Sequence, residues 1–186
     1  IVLIPLSMFF IIKGGNYIVS FLYSILILAN FEAFSVFKRK LSIIFLDSIL
    51  VLSLLSLLYL RNDTASSFIL LIWLIILTIS SDIGGYIFGK IIGGKKLTKI
   101  SPNKTYSGSI GSYFLSIIFT LLIFNKHFSS EFIILYSIII STISQIGDLM
   151  ISILKRKAKI KDTGNLIPGH GGLLDRFDGL IFAIPL

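Results

Sequence analysis

The feature that most constrains this chain is a succession of long apolar runs, each close to the roughly 20 residues that a helix needs to cross a bilayer. Short polar segments separate the runs and hold most of the charged residues. Lipid offers no hydrogen-bond partner to the backbone, so only helices and closed barrels cross it, and runs of this length favour helices. The sequence therefore predicts an all-α, polytopic transmembrane helical bundle.

About seven spans are expected, and we expect the first and the last to be cut short in this chain. The expected spans are 1–12, 17–37, 41–60, 68–88, 107–124, 131–154 and 172–186.

Composition supports the membrane class and excludes several sites. Only 14% of the 186 residues are charged, against about 25% in soluble domains, and the mean hydropathy is +0.96. Cysteine is absent and there are two histidines, which excludes disulfides and thiolate metal sites and argues against an imidazole-rich zinc site. We attribute the net charge of +8 to membrane orientation rather than to nucleic-acid binding.

The basic residues are divided unequally between the two predicted sides of the membrane. One side holds only Lys13, Arg61 and Lys126, and the other holds the remaining fourteen of the 17. Basic loops stay in the cytoplasm, so the sequence predicts that the richer side is cytoplasmic.

Most acidic residues lie near the same predicted cytoplasmic side. They are Asp82, Asp148, Asp162, Asp175 and Asp178. Ionisable groups within spans usually face a bundle interior or a cavity, which predicts a polar cavity open to the cytoplasm. Glu32 and Asp47 are weaker signals, and either could be a structural partner of a lysine.

The pair Asp175 and Asp178 suggests a metal site. Residues three apart share a helix face, and two carboxylates that close repel unless a cation lies between them. Mg²⁺ binds through one or two carboxylates plus substrate phosphates, and Asp148 could supply a third carboxylate. The alternative is a helix start whose acidic residues favour the dipole.

The loop 155–171 combines basic residues with glycines. A collar contacting lipid headgroups would explain Lys155, Arg156 and Lys157. It would not explain the glycines, which allow close backbone approach, and Gly171-Gly172 at a helix start could bind phosphate through N–H groups. His170 could donate a proton, bind phosphate or cap the helix.

A second polar segment follows the fourth run. Residues 101–105, Ser-Pro-Asn-Lys-Thr, form a turn that offers hydroxyls, an amide and a cation, or else an ordinary connection. Gly84-Gly85 could be a packing face of small residues. Residues 89–95 match the P-loop pattern, but its last position, 96, is Lys where the pattern requires Ser or Thr, and no predicted strand precedes it. These two differences exclude a P-loop.

These motifs together resemble those of the phosphatidate cytidylyltransferases. The resemblance lies in the following positions: Ser152-x-Leu154-Lys155-Arg156, Lys161-Asp162-x-Gly164, Pro168-x-His170-Gly171-Gly172, Asp175-Arg176-x-Asp178, Asp82-x-Gly84-x-Tyr86-x-x-Gly89 and 101–105. The family usually continues this last motif with Trp-Glu-Gly, where this chain has Tyr106-Ser107-Gly108.

The resemblance implies a polytopic enzyme of the bacterial cytoplasmic membrane with its active site facing the cytoplasm. Such an enzyme condenses CTP with phosphatidic acid to give CDP-diacylglycerol and pyrophosphate. It implies Mg²⁺ as cofactor, with K⁺ as a second cation, and membrane lipids as partners. A homodimer is the assembly that we consider, and no nucleic acid is expected.

The site residues follow from the motifs. The expected metal ligands, also counted as catalytic, are Asp148, Asp175 and Asp178, and the other catalytic candidates are Lys161, Asp162 and His170. The substrate-binding candidates are Asp82, Ser101, Asn103, Lys104, Lys155, Arg156, Gly171, Gly172 and Arg176. We therefore divide the chain into N-terminal spans, 1–79, and a catalytic region, 80–186, with cytoplasmic loops 90–106 and 155–171.

Three alternatives are weighed against this function. A transporter would place charges near the midplane and usually show repeats, whereas these acids lie at one end of the spans and no repeat is evident. A CDP-alcohol phosphatidyltransferase would show an Asp-Gly motif with spaced aspartates that is absent here. A cytidylyltransferase or kinase acting on an isoprenoid lipid stays open, because the lipid-facing positions are merely apolar.

Overall fold

The computed structural model describes residues 3–61, 64–98, 100–164 and 171–186, and in these ranges every regular element is a helix. The helices are α1 Leu3–Lys13, α2 Gly15–Val36, α3 Lys40–Leu60, α4 Ala65–Ile91, α5 Tyr106–Phe124, α6 Ser130–Lys157, α7 Leu174–Phe177 and α8 Leu180–Ala183. The prediction of an all-α protein is confirmed for this part of the chain.

Five helices, α2 to α6, are long and apolar enough to cross a membrane. The prediction of about seven spans is not matched within the described ranges. Helix α1 has 11 residues, and the last expected span consists of α7 and α8 with four residues each. Asp178 and Gly179 keep right-handed helical dihedral angles between these two short helices.

Side-chain caps fix the starts of the three helices that surround the site. Thr64, Thr105 and Ser129 each accept a hydrogen bond from a backbone N–H in the first turn of α4, α5 and α6, which satisfies one of the orphan donors there.

The ends of α4 and α6 shorten the loops that the sequence predicts. Helix α4 includes Lys90, and α6 runs on through Lys155, Arg156 and Lys157, so the expected loop limits of 90 and 155 are wrong. The basic residues extend the last turn of α6, where cations interact favourably with the helix dipole. The domain boundary proposed at residue 79 lies inside α4.

Helices α4 and α5 pack so closely that their glycines leave no space for a side chain. A Cβ atom at Gly84 would lie 2.3 Å from the carbonyl oxygen of Gly111, and one at Gly108 would lie 2.8 Å from that of Gly85. Such small-residue contacts are typical of membrane helix pairs. The prediction of a packing face at Gly84-Gly85 is confirmed.

A seam of hydroxyl groups joins α5 to α6. Ser141 donates to Ser116 at 3.0 Å, and the hydroxyls of Thr120 and Ser137 lie 3.2 Å apart. All four side chains are buried. Hydrogen bonds between helices replace the hydrophobic driving force that lipid does not supply, so this seam helps to fix α6 against α5.

The segment 173–181 packs in the interior of the bundle. Leu173, Leu174 and Ile181 belong to one buried cluster with residues of α2, α3 and α6, including Leu46 and Ile151. The aspartates of this segment are therefore carried on backbone that three long helices hold in place.

Candidate active site

A cavity of about 310 Å³ lies between α4, α5, α6 and the connection 92–105. Five residues predicted from the sequence line it: Asp82, Ser101, Asn103, Lys104 and Asp148. Because these come from two helices and one connection, the fold brings together residues that are up to 66 positions apart in the chain.

The connection 92–105 is a compact turn that aims Lys104 into this cavity. The N–H of Leu97 donates to the carbonyl oxygen of Lys104 at 2.7 Å, and the N–H of Lys104 donates to that of Ser101 at 3.1 Å. The Lys104 Nζ then donates to Asp148 Oδ2 at 2.8 Å. The two side chains are 27% and 22% exposed, so this ion pair can still be reached by a ligand.

Asp178 reaches the same aspartate from the other side. Its carboxyl group lies close enough to that of Asp148 for the two negative charges to interact strongly. The close approach requires the glycine that follows, because a Cβ at Gly179 would lie 2.3 Å from Ser144 Oγ and 2.9 Å from Asp148 Oδ1. Two carboxyl groups in contact need a proton or a cation between them.

Asp175 belongs to a different network. Its Oδ1 accepts from Lys155 Nζ at 2.7 Å, and its Oδ2 accepts from the backbone N–H groups of Thr163 at 2.8 Å and Gly172 at 3.1 Å. Burial alone would raise the pKa of Asp175, but the hydrogen bonds from Lys155 and Thr163, with the Lys155 charge, outweigh it and lower the pKa below its ordinary value. Both oxygens of Asp175 are thus already bound within the protein.

Glu32 forms a third carboxylate site, which the sequence indicated only weakly. It is 2% exposed. Its Oε1 accepts from Leu173 N at 2.7 Å, and its Oε2 accepts from Leu174 N at 3.0 Å and from the Thr163 hydroxyl at 3.3 Å. The lysine partner expected for Glu32 is wrong, because backbone N–H groups take that place.

These contacts change two expectations about the segment 171–178. Asp175 and Asp178 lie three residues apart, yet their carboxylates have different partners, and no three acidic or histidine side chains in the described ranges form a group that could hold a metal ion. The second expectation is phosphate binding at Gly171-Gly172: the N–H groups of 172, 173 and 174 are already bound to Asp175 and Glu32 and are not free for a phosphate.

The remaining predicted residues lie around these networks. Lys161 and Asp162 are exposed, and Arg156 Nη1 donates to the carbonyl oxygen of Ile160 at 3.1 Å near the end of its own helix. Arg176 lines a neighbouring cavity of about 360 Å³ that is mostly apolar and also reaches Asp82. His170 lies outside the residues that the structure describes.

Three polar residues of the site were missed or undervalued in the sequence. Gln145 lines the cavity and accepts a hydrogen bond from Ser109, and Glu32 binds the segment before α7. Gln145 precedes Asp148 by one helical turn and therefore shares its face. A polar residue at that spacing within an apolar run is the signal that could have found it.

The fold and the site define a class of protein: a polytopic helical membrane protein whose carboxylates and lysines lie together at one end of the bundle. The chain matches the model of the cytidylyltransferase family over residues 1–186, and it belongs to that family. The family resemblance inferred from the motifs is confirmed.

Several curated bacterial proteins are similar to this chain. A phosphatidate cytidylyltransferase of Staphylococcus epidermidis is 41% identical over 121 residues, and those of Staphylococcus aureus and Staphylococcus haemolyticus are 44% and 43% identical over the same length. Each match covers 63% of this chain and only 44% of the relative, so the chain spans less than half of their length by alignment.

Proposed function

We propose that the protein containing this chain transfers a cytidylyl group from CTP to phosphatidic acid, giving CDP-diacylglycerol and pyrophosphate. The observation that carries the proposal is the family match over the whole chain. The geometry supports it, because a cavity that combines lysine, hydroxyl and amide groups with carboxylates suits a polyphosphate and its counterion.

The cavity between α4, α5 and α6 is the proposed nucleotide site. Lys104 and Asn103 sit on its rim and would bind triphosphate oxygens, with the Ser101 hydroxyl beside them. Asp148 holds the Lys104 ammonium group in place at 2.8 Å before substrate arrives. This arrangement lowers the cost of ordering a long side chain on binding.

Two of the three predicted metal ligands fit Mg²⁺. Asp148 and Asp178 bring two carboxyl groups close together, and Mg²⁺ is commonly held by one or two carboxylates together with substrate phosphates. Asp175 does not fit, because both its oxygens are bound by Lys155 and by backbone N–H groups. When bound, the ion would neutralise charge on the triphosphate. A second cation, K⁺, stays a prediction.

The reaction needs alignment more than acid–base chemistry. A phosphate oxygen of phosphatidic acid forms a bond to the α-phosphorus of CTP, and the bond from that phosphorus to the bridging oxygen breaks, so that pyrophosphate leaves with the electron pair. The nucleophile is already ionised, so no serine or cysteine is required. The task of this chain is to neutralise two anions and to hold them in line.

The lipid is proposed to approach through the apolar cavity beside the site. This cavity is lined by α1, α2, α3, α4 and the segment 173–184, and Asp82 and Arg176 lie at its polar part. Arg176 would bind the lipid phosphate while the acyl chains stay among apolar side chains. The polar cavity facing the cytoplasm, the position in the cytoplasmic membrane and a homodimer remain parts of this proposal.

Transfer of label from CTP to lipid tests the proposal. The purified protein in nanodiscs is given CTP labelled at the α- or γ-phosphate, with phosphatidic acid, an isoprenoid monophosphate or an isoprenoid alcohol. We expect α-label in lipid only with phosphatidic acid, and γ-label in pyrophosphate. Label from the γ-position in lipid would show a kinase, and preference for an isoprenoid would show a different lipid substrate; either result overturns the proposal.

A further inference from the structure

Glu32 lies on α2, more than 130 residues before the segment that it contacts. Its two carboxylate oxygens accept three hydrogen bonds, from the N–H groups of Leu173 and Leu174 and from the Thr163 hydroxyl. The side chain is 2% exposed. Burial of a carboxylate this deeply costs free energy unless hydrogen bonds compensate the lost hydration. Here the compensating donors are the N–H groups of Leu173 and Leu174, at the start of α7, and the hydroxyl of Thr163.

The glycines of this segment make room for that carboxylate. A Cβ at Gly164 would lie 3.0 Å from Glu32 Oε1, and a Cβ at Gly172 would lie 2.8 Å from Oε2 and 2.2 Å from Thr163 Oγ1. Glycine allows a close approach of backbone to another group. The group that approaches Gly164 and Gly172 in this structure is a side chain of the protein itself.

Asp175 holds the same segment from its other side. It accepts from the N–H groups of Thr163 and Gly172, so Thr163 and the 172–174 backbone are bound by two carboxylates at once. From this point the chain needs only four more residues to reach Asp178 and five to reach Gly179, whose Cβ position lies 2.9 Å from Asp148 Oδ1. The position of Asp178 therefore depends on where Glu32 places Leu173 and Leu174.

We propose that Glu32 is a positioning residue for the active site: it fixes the start of α7 so that Asp178 meets Asp148. This inference rests on the proposed cytidylyl transfer and deepens it. Glu32 touches no substrate group; it acts through the backbone of residues 173 and 174. Groups that orient a metal-binding carboxylate in this way typically contribute about 10- to 100-fold to activity or metal affinity.

Substitution of Glu32 by glutamine tests the proposal with little change in volume. Glu32→Gln keeps one acceptor oxygen and turns the other into a donor that faces N–H and O–H groups. In nanodiscs, we expect kcat to fall about 10- to 100-fold and the half-saturating Mg²⁺ concentration to rise, with a smaller change in KM for CTP. Glu131→Gln is the matched control, because it makes the same change at the exposed start of α6 and should stay within about twofold of the unaltered protein.

Thr163→Val provides a milder variant that removes only the hydroxyl contact to Oε2. We expect the same pattern with a decrease of about two- to tenfold in kcat. If Glu32→Gln fails to fold, the kcat and Mg²⁺ dependence of Thr163→Val alone test the proposal. An unchanged kcat and unchanged Mg²⁺ dependence in every variant that folds would overturn the positioning role.

Hydrogen exchange supplies a measurement that does not depend on activity. We expect faster exchange at the amides of 163 and 172–175 in Glu32→Gln, with α4 and α5 as slow as in the unaltered protein. Uniformly faster exchange in all helices, with a normal Mg²⁺ dependence of the remaining activity, would show a role in folding only and overturn the proposal. If the unaltered protein transfers no cytidylyl group, the proposed function fails, while the exchange data still test the Glu32 contact.

Discussion

Two lysine–aspartate pairs that involve the C-terminal half of α6 differ in how many of the hydrogen-bonding positions of the aspartate are occupied. In the Lys104–Asp148 pair the side chains are 27% and 22% exposed, and Asp148 also lies close to a second carboxyl group, that of Asp178. In the Lys155–Asp175 pair they are 12% and 6% exposed, and the aspartate accepts two backbone hydrogen bonds as well. The Lys104–Asp148 pair can therefore still bind a ligand, whereas both oxygens of Asp175 are already bound within the protein.

The difference favours a substrate-binding role for the first pair and a structural role for the second. Asp148 and Lys155 lie on the same helix, two turns apart, and the sequence predicts a metal ligand at Asp148 and a substrate-binding residue at Lys155. Their different partners favour different roles for the two residues. The open pair should govern activity, and the closed pair, together with Glu32, should govern stability and geometry.

Removing the carboxylate of the open pair should have the largest effect. For Asp148→Asn we expect a loss of about a thousandfold in kcat with little change in Tm, because the site would lose a carboxylate proposed to hold Mg²⁺ and with it the charge neutralisation that the ion supplies. Asp47→Asn, in another long helix, is the control. The measurement is label transfer from CTP to lipid alongside a thermal scan; activity within a few-fold of the unaltered protein would refute a catalytic role for the open pair.

Breaking the closed pair should destabilise the protein instead. Lys155→Met leaves a buried carboxylate without its cation, which typically costs about 3 kcal/mol, whereas Lys157→Met at an exposed position should cost little. Because the folded pKa of Asp175 is lowered, its stabilisation is present above the unfolded pKa and is lost as pH falls through the folded value. Lys155→Met should move acid unfolding to higher pH, measured by Tm against pH. An unchanged Tm in Lys155→Met would contradict the structural role assigned to the Lys155–Asp175 pair.

Removing the lysine of the open pair should have an intermediate effect. Lys104→Gln removes a charged hydrogen-bond donor from the proposed triphosphate site, and we expect kcat/KM for CTP to fall about tenfold. Stability should change less than in Lys155→Met, because the Lys104–Asp148 pair is more exposed than the Lys155–Asp175 pair and exposure weakens an ion pair. Lys90→Gln, at the exposed end of α4, is the control. A fall in Tm without a change in kcat/KM would assign the Lys104–Asp148 pair to structure.

The smallest effect is expected in the hydroxyl seam, which belongs to neither pair. Ser141→Ala removes the hydrogen bond to Ser116 and should cost about 0.6 kcal/mol, as such bonds between membrane helices do on average. Chemical unfolding in mixed micelles would measure it, with kcat as the check on the site. A loss of activity out of proportion to stability would show that α5 and α6 couple the seam to the cavity.

The sequence predicted the long helices well because their signal is local. Each apolar run carries its own evidence for a helix, and α2 to α6 lie within a few residues of the expected spans. The cavity residues Asp82, Lys104 and Asp148 were found because the motifs that contain them are short and polar within apolar surroundings.

The partners of the carboxylates could not be predicted in the same way. Asp175 and Asp178 look equivalent in sequence, and only tertiary packing shows that Asp175 is bound to Lys155 whereas Asp178 lies close to Asp148. The role of Glu32 depends on a contact with residues more than 130 positions away, for which no periodicity in a single sequence gives a signal. The sequence indicated that some group approaches Gly164 and Gly172 closely, but it did not indicate that this group is the side chain of Glu32.

The contact between α2 and the α7 turn has a consequence for biogenesis. Helix α2 leaves the ribosome more than 130 residues before the turn that depends on it. We expect a chain that lacks α2 to insert its later helices normally and yet to leave the DRFD sequence without a fixed shape. Such a chain would then have the correct topology in the bilayer without an active site that can catalyse the reaction. An assay that measures insertion alone would not detect this loss.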